Sequence, residues 1–208
     1  MKRVNALPKV FLRFIQADAR LYIYILLAFI IGGIFAALFA FGLPESALTE
    51  LSLYVDDFFQ NMHKSGTDSV LLFQDGLVMH IKSFGILLLL SVMVIGAPFI
   101  AVFAGLKGFM QGFTLFFMFR VYSFRAVLFF LAGMLPHGLI LLPCYSVLFV
   151  TCLKFSKSLV RDRQNLKARL LHFALILGIL FLVAVMATLI QAYVEPLFIR
   201  LIAGMYTA

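Results

Sequence analysis

The sequence predicts an all-α fold, a polytopic transmembrane helix bundle of about five spans with a kinked or broken fourth helix. Three observations carry this. The 208 residues are 64% hydrophobic and only 12% charged, whereas globular chains are about half apolar and a quarter charged. The apolar residues fall in runs long enough to cross a hydrocarbon core of about 30 Å. The charges gather between the runs, so the chain reads as one integral membrane domain over residues 1–208.

The formal charge of +8 is not a nucleic-acid signature, because the basic residues sit in two short segments beside apolar runs. That is how cytoplasmic loops look; a nucleic-acid face needs a solvated basic surface with stacking aromatics. Cys144 and Cys152 lie eight apart within one apolar run and read as small buried hydrophobes. Neither a metal spacing nor a cofactor motif appears, and the expectation is a chain without a cofactor.

Residues 1–20 form a basic segment with Lys2, Arg3, Lys9, Arg13 and Arg20 against Asp18. Within it Val10, Phe11, Phe14 and Ile15 share one face, predicting an amphipathic helix on the membrane surface. Span one is predicted over 21–42. It lacks the small-residue cleavage site of a signal peptide and is expected to be permanent. Gly32 and Gly33 near its middle would admit a close neighbour.

Residues 43–77 carry Glu45, Glu50, Asp56, Asp57, Asp68 and Asp75 against Lys64. Leu48, Leu51, Val55, Phe58, Phe59 and Met62 recur at helical spacing, so an amphipathic helix rests here on the membrane, the bundle or a partner. Ser65-Gly66-Thr67-Asp68 closes it as a turn. From Ser83 to Phe119 the only charge in 37 residues is Lys107, too long a run for one crossing. Gly96-Ala97-Pro98 divides it into span two, about 78–96, and span three, about 99–120.

Span four, about 126–153, is an uncharged run of 28 residues in which Pro136 and Pro143 predict the kink or break. A basic loop over 154–169 follows. Span five is predicted over 170–194, closed by Glu195-Pro196 and followed by an apolar tail. The positive-inside rule then places the N-terminus and the 154–169 loop in the cytoplasm, with loop 43–77 and the C-terminus outside the cell membrane. Arg120 and Arg125 fall on the outer side, against the rule. No internal repeat suggests the inverted halves of a transporter.

Polar groups at membrane depth mark the candidate sites, since ionisable residues there are costly. Lys107 and Gln111 share a helix face, with Gly108 and Gly112 as a small-xxx-small pair beside them and Gly105 a turn before. In span four Pro136, His137 and Gly138 follow one another at a depth that would let His137 meet Lys107. The structural reading is a lysine and a histidine satisfied inside a packed bundle. The functional reading is a site for a partner helix, a lipid headgroup or an ion. Proton-relay or metal chemistry at His137 would need partner carboxylates or more histidines, and the spans are expected to supply neither. Asp56, Asp57 and His63 have no nucleophile placed with them and read as a solvated acidic face, so a chain without enzymatic activity is expected.

Taken in order, LYIYILLAFIIGGIFAALF, LYVDDFFQ, FGILLLLSVMVIGAPFIAVFAGLKGFMQGFT and LAGMLPHGLILLPCYSVL resemble the stage II sporulation protein M family over nearly the whole chain. LKGFMQGFT at 106–114 and LPHGLILLP at 135–143 are the most specific pieces. In the wider superfamily the second motif often runs from His-Gly to a glutamate; here Leu141 stands there, as in the sporulation branch, and an ion or proton role is weakened. The resemblance implies a non-enzymatic scaffold of the engulfment machinery in an endospore-forming bacterium. It would anchor the peptidoglycan hydrolases, stage II sporulation proteins D and P, at the septal membrane of the mother cell. Leu51, Val55, Phe58 and Phe59 are the expected partner-binding face, with membrane lipid and a second copy of the chain as further partners. The competing expectation is a permease or channel-like subunit using Lys107, Gln111 and His137.

Overall fold

A computed structural model describes residues 18–64, 68–93, 95–161 and 166–203. The amphipathic helix expected at Val10–Ile15 and most of the Ser65–Asp68 turn lie outside them. Among the described residues the chain is helical throughout, with no strand.

Helix α1, Ala19–Gly42, is span one. Helix α2, Glu45–Lys64, is the expected amphipathic helix of the acidic loop. Helix α3, Ser69–Val92, starts with Asp68 as N-cap, its carboxylate accepting the Val70 N–H at 2.9 Å. Span two is thus a longer and earlier helix than the 78–96 expected. Gln74 and Asp75 do not end it: both side chains are exposed, while the next residue, Gly76, packs closely on Thr188 of span five. Helix α4 covers Gly96–Tyr122. The chain turns before Gly96 rather than at Gly96-Ala97-Pro98, and Pro98 lies in the helix's first turn, where its missing N–H costs nothing. Gly96 is needed at this reversal, since a methyl there would collide with the Leu90 carbonyl.

Span four is one continuous path rather than a broken one. A short helix α5, Arg125–Phe129, passes into a π-helical turn, Phe130–Met134, and then into α6, Leu135–Arg161. In a regular helix the Pro136 ring would press on the carbonyl four residues back, which is that of Ala132. The wider π turn absorbs that conflict. Pro143 is carried within α6. Helix α7, Leu166–Tyr193, is span five, and the apolar tail forms a further helix α8, Glu195–Ala203.

Among the described residues five helical stretches are therefore long and apolar enough to cross a membrane. Contacts sort their ends into two groups. Asp18 pairs with Lys154 at 2.6 Å, and the Ser156 hydroxyl donates to the Met93 carbonyl at 3.1 Å, so the start of span one, the end of α3 and the end of span four share one end. At the other end α2 packs with α8, and Tyr122 donates to Asp56 at 2.6 Å. The first end is basic, with Arg20, Lys157, Lys167 and Arg169, and the second carries the acids of α2.

Small residues set the packing, as expected where lipid gives helices little hydrophobic reason to associate. Ala36, Ala40, Ala104, Ala184 and Ala187 are buried, while Leu27, Ile31, Phe35 and Leu38 face outward from α1. The two glycine patches meet each other across α1 and α4. A methyl on Gly32 would strike the Gly105 carbonyl, one on Gly108 would strike the Phe29 carbonyl, and one on Gly112 would lie 3.0 Å from the Gly33 Cα. Rings finish the core, with Phe155 stacked on Phe173 at 4.2 Å and Phe84 edge-on to Phe181 at 5.3 Å.

Arg120 is accounted for by the same geometry. Its guanidinium donates to the carbonyls of Ala40, Phe41 and Leu43 at 2.8–2.9 Å and pairs with Glu45 at 3.3 Å. It caps the C-terminal end of α1, where carbonyls lack helical partners and a cation is favoured. Its place among the acids comes from this cap.

Candidate functional site

Lys107 sits near the middle of α4, about 16 Å along its axis from Gly96 by helix rise, so it is at membrane depth. Its ammonium lies 5.2 Å from the centre of the Tyr145 ring and 5.9 Å from that of Phe103. Aromatic faces carry negative potential and attract a cation, most strongly away from water. Tyr145 in turn shares a hydrogen bond of 2.8 Å with His80 Nδ1. His80, on α3, is buried. Lys107, Tyr145 and His80 thus form one polar chain linking α4, α6 and α3.

This chain borders a cavity of about 620 Å³. Gln111, Thr114, His137, Ser146 and Gln191 add polar atoms to a wall that is otherwise apolar, built from residues such as Ile25, Phe29, Phe109, Leu141 and Phe149. Part of the wall faces outward: Leu26, Ile30, Met110 and Leu142 line the cavity while each is about half exposed. An apolar chamber with a few convergent polar groups is the usual form of a ligand site.

His137 has a partner that the sequence reading missed. Its ring Nδ1 and its backbone N–H, the latter at 3.2 Å, both engage Glu195 Oε1. A carboxylate only accepts, so the Nδ1 position carries the proton. Glu195 is buried at 4% exposure at the start of α8, and the expectation that the spans offer His137 no carboxylate is corrected. The reason is the tail, which folds back as α8 against the π turn and brings Glu195 with it. His80 corrects the matching expectation of no second histidine. Two signals pointed this way: a lone histidine in the apolar run of span two, and a glutamate heading an apolar tail with helical spacing. Among the described residues no group of three or more His, Cys, Asp and Glu could hold a metal ion.

The other expected site residues divide. Lys107, Gln111 and His137 line one cavity, but the link from Lys107 runs through Tyr145 to His80. Gly108 and Gly112 are helix-contact positions, as expected. Gly138 is not one, since a methyl there meets nothing within 4 Å. Pro136 stands two residues beyond the π turn. Leu51 and Val55, expected to bind a partner, lie on the side of α2 that rests on the bundle. Both are half-buried against Leu48, Phe117, Met118 and Phe129, because the apolar side of α2 has the bundle to rest on. Side chains of Phe58 and Phe59 lie outside the described residues. The outward face of α2 instead presents Glu50, Leu53 and Tyr54, with Leu53 63% and Tyr54 70% exposed.

Compared with known proteins, the chain finds no match among the curated proteins and none among the solved structures. A family model described as stage II sporulation protein M matches residues 25–196. That match runs from span one to the Glu195-Pro196 step and contains both the Lys107 and the His137 segments. With five spanning helices and a match over most of its length, this membrane protein belongs to the stage II sporulation protein M family.

Proposed function

We propose that this chain is a non-enzymatic membrane scaffold which anchors a peptidoglycan-hydrolase complex, the stage II sporulation proteins D and P, at the septal membrane during engulfment. The observation that carries this reading is α2. It is held to the bundle along one side by Leu48, Leu51 and Val55, and tied down further by the Arg120–Glu45 and Tyr122–Asp56 contacts. Its other side offers Glu50, Leu53 and Tyr54 at the membrane surface. A docking helix needs such a rigid base, since a preordered surface spends less binding energy on ordering itself. Exposed Tyr among acidic groups also suits a protein interface. In this reading the basic end faces the cytoplasm and the α2–α8 end faces the hydrolases.

The test is co-purification from sporulating cells with a Leu53→Lys/Tyr54→Lys variant beside the wild type. Recovery of two peptidoglycan hydrolases with the wild type, and at least tenfold less with the variant at equal membrane abundance, is the expected result. Undiminished recovery with the variant would remove α2 as the docking surface. A wild type that brings down no hydrolase would remove the scaffold reading itself.

A further inference from the structure

Among the described residues the Lys107 ammonium is in no ion pair, and the buried carboxylate of this region, Glu195, is engaged by His137. An ammonium at membrane depth costs several kcal/mol unless something answers its charge. The rings of Tyr145 and Phe103 answer part of it. The adjoining chamber is far larger than a counter-ion needs, at about 620 Å³. Its wall is mostly apolar, and on one side that wall is made of Leu26, Ile30, Met110 and Leu142, which also face the bundle's outer surface. A molecule filling this space must therefore be apolar over most of its length, enter from the lipid side, and bring one negative charge to the lysine.

We propose that the chamber binds an anionic amphiphile, a hydrocarbon chain ending in a carboxylate or phosphate, with its head against Lys107 and its chain leaving between α1 and α6. Gln111, on the same helix face one turn on, adds an amide that donates to the same head. His80, held by Tyr145, closes the polar end. The head chemistry is common to a free single-chain anion and to a bilayer phospholipid.

Native mass spectrometry of the full chain in a neutral detergent tests this. Palmitate, a polyprenyl phosphate, phosphatidylglycerol, hexadecanol and inorganic phosphate are titrated separately. One-to-one adducts are expected with at least one anionic amphiphile, with hexadecanol at least tenfold weaker. Lys107→Gln should weaken the anionic adduct at least tenfold and leave hexadecanol unchanged, while Lys167→Ala, on the exposed basic end, changes neither. Leu142→Trp narrows the mouth from an outward position and should weaken the anion tenfold even if the lysine variant fails to fold. Palmitate or polyprenyl phosphate binding without phosphatidylglycerol identifies a single-chain source, and the reverse identifies a bilayer phospholipid; either upholds the site. No anionic adduct, equal binding of hexadecanol, phosphate binding as tightly as the amphiphiles, or an equal loss in the Lys167 variant overturns it.

Discussion

Glu195 does for span four what no residue within that span can. Its Oε1 accepts hydrogen bonds from both the His137 ring Nδ1–H and the His137 backbone N–H, at the point where the π turn gives way to α-helix. Removing one partner of a buried hydrogen bond leaves the other unsatisfied, at a cost of about 1–3 kcal/mol. Glu195→Gln is therefore expected to lower the detergent-solubilised unfolding midpoint clearly, and Glu195→Ala by at least as much. The His137→Ala/Glu195→Ala double variant should be less unstable than the sum of the single changes, because each single change already forfeits the pair. Additive losses in thermal unfolding would show that the two residues act separately. At this scale the sequence was half readable. Lys107 and His137 stood out because charge and imidazole are rare in apolar runs. Their partners did not: Tyr145 looks like one more aromatic, and Glu195 looks like a helix end until the tail is seen to fold back.

Helix contacts give the sharpest contrast at the next scale. Gly108 and Gly138 both sit in motifs that mark the chain, yet only Gly108 has a backbone pressed against it. Gly108→Ala should cost about 1–3 kcal/mol by overpacking and shift the unfolding midpoint down, whereas Gly138→Ala should leave it level or slightly raised, Ala being the better helix former. Equal effects would mean that α1 and α4 are not joined through these glycines. Spans one and five were legible because uninterrupted hydropathy sets their length, and span three because Gly96-Ala97-Pro98 marks where its apolar run divides. The early start of α3 was not, since Gln74 and Asp75 look like loop until Gly76 beside them is seen packed on Thr188 of α7. The side of α2 that packs was also beyond the sequence, as an apolar stripe looks the same whether it covers a bundle or awaits a partner.

For the whole molecule the count of crossings and the sorting of ends can be checked together. Cys144 and Cys152 are buried in span four and should stay silent toward a membrane-impermeant maleimide. Cysteine placed at Tyr54 should label from outside intact cells, and cysteine placed at Lys157 only after the membrane is opened, as both positions are exposed at opposite ends. Labelling of both from the same side would overturn the five-crossing path. Here the sequence was most informative: Arg20, Lys157, Lys167 and Arg169 share one end and the acids of α2 the other, and the apparent exceptions are Arg120 and Arg125. Arg120 is held by the carbonyls of α1, a role that follows from where the helices end and not from charge counting.

The π turn at Phe130–Met134 bears on how chains of this kind are read against one another. A π turn amounts to one extra residue threaded into a regular helix, so everything after it is rotated by about 100° relative to an uninterrupted path. Drawn on a helical wheel as a single rod, span four would aim His137 and Tyr145 in the wrong directions. A relative one residue shorter in this segment could keep every later side chain identical and still turn the whole second half of the span to a different neighbour. For span four, an alignment gap of a single position is a change of wiring.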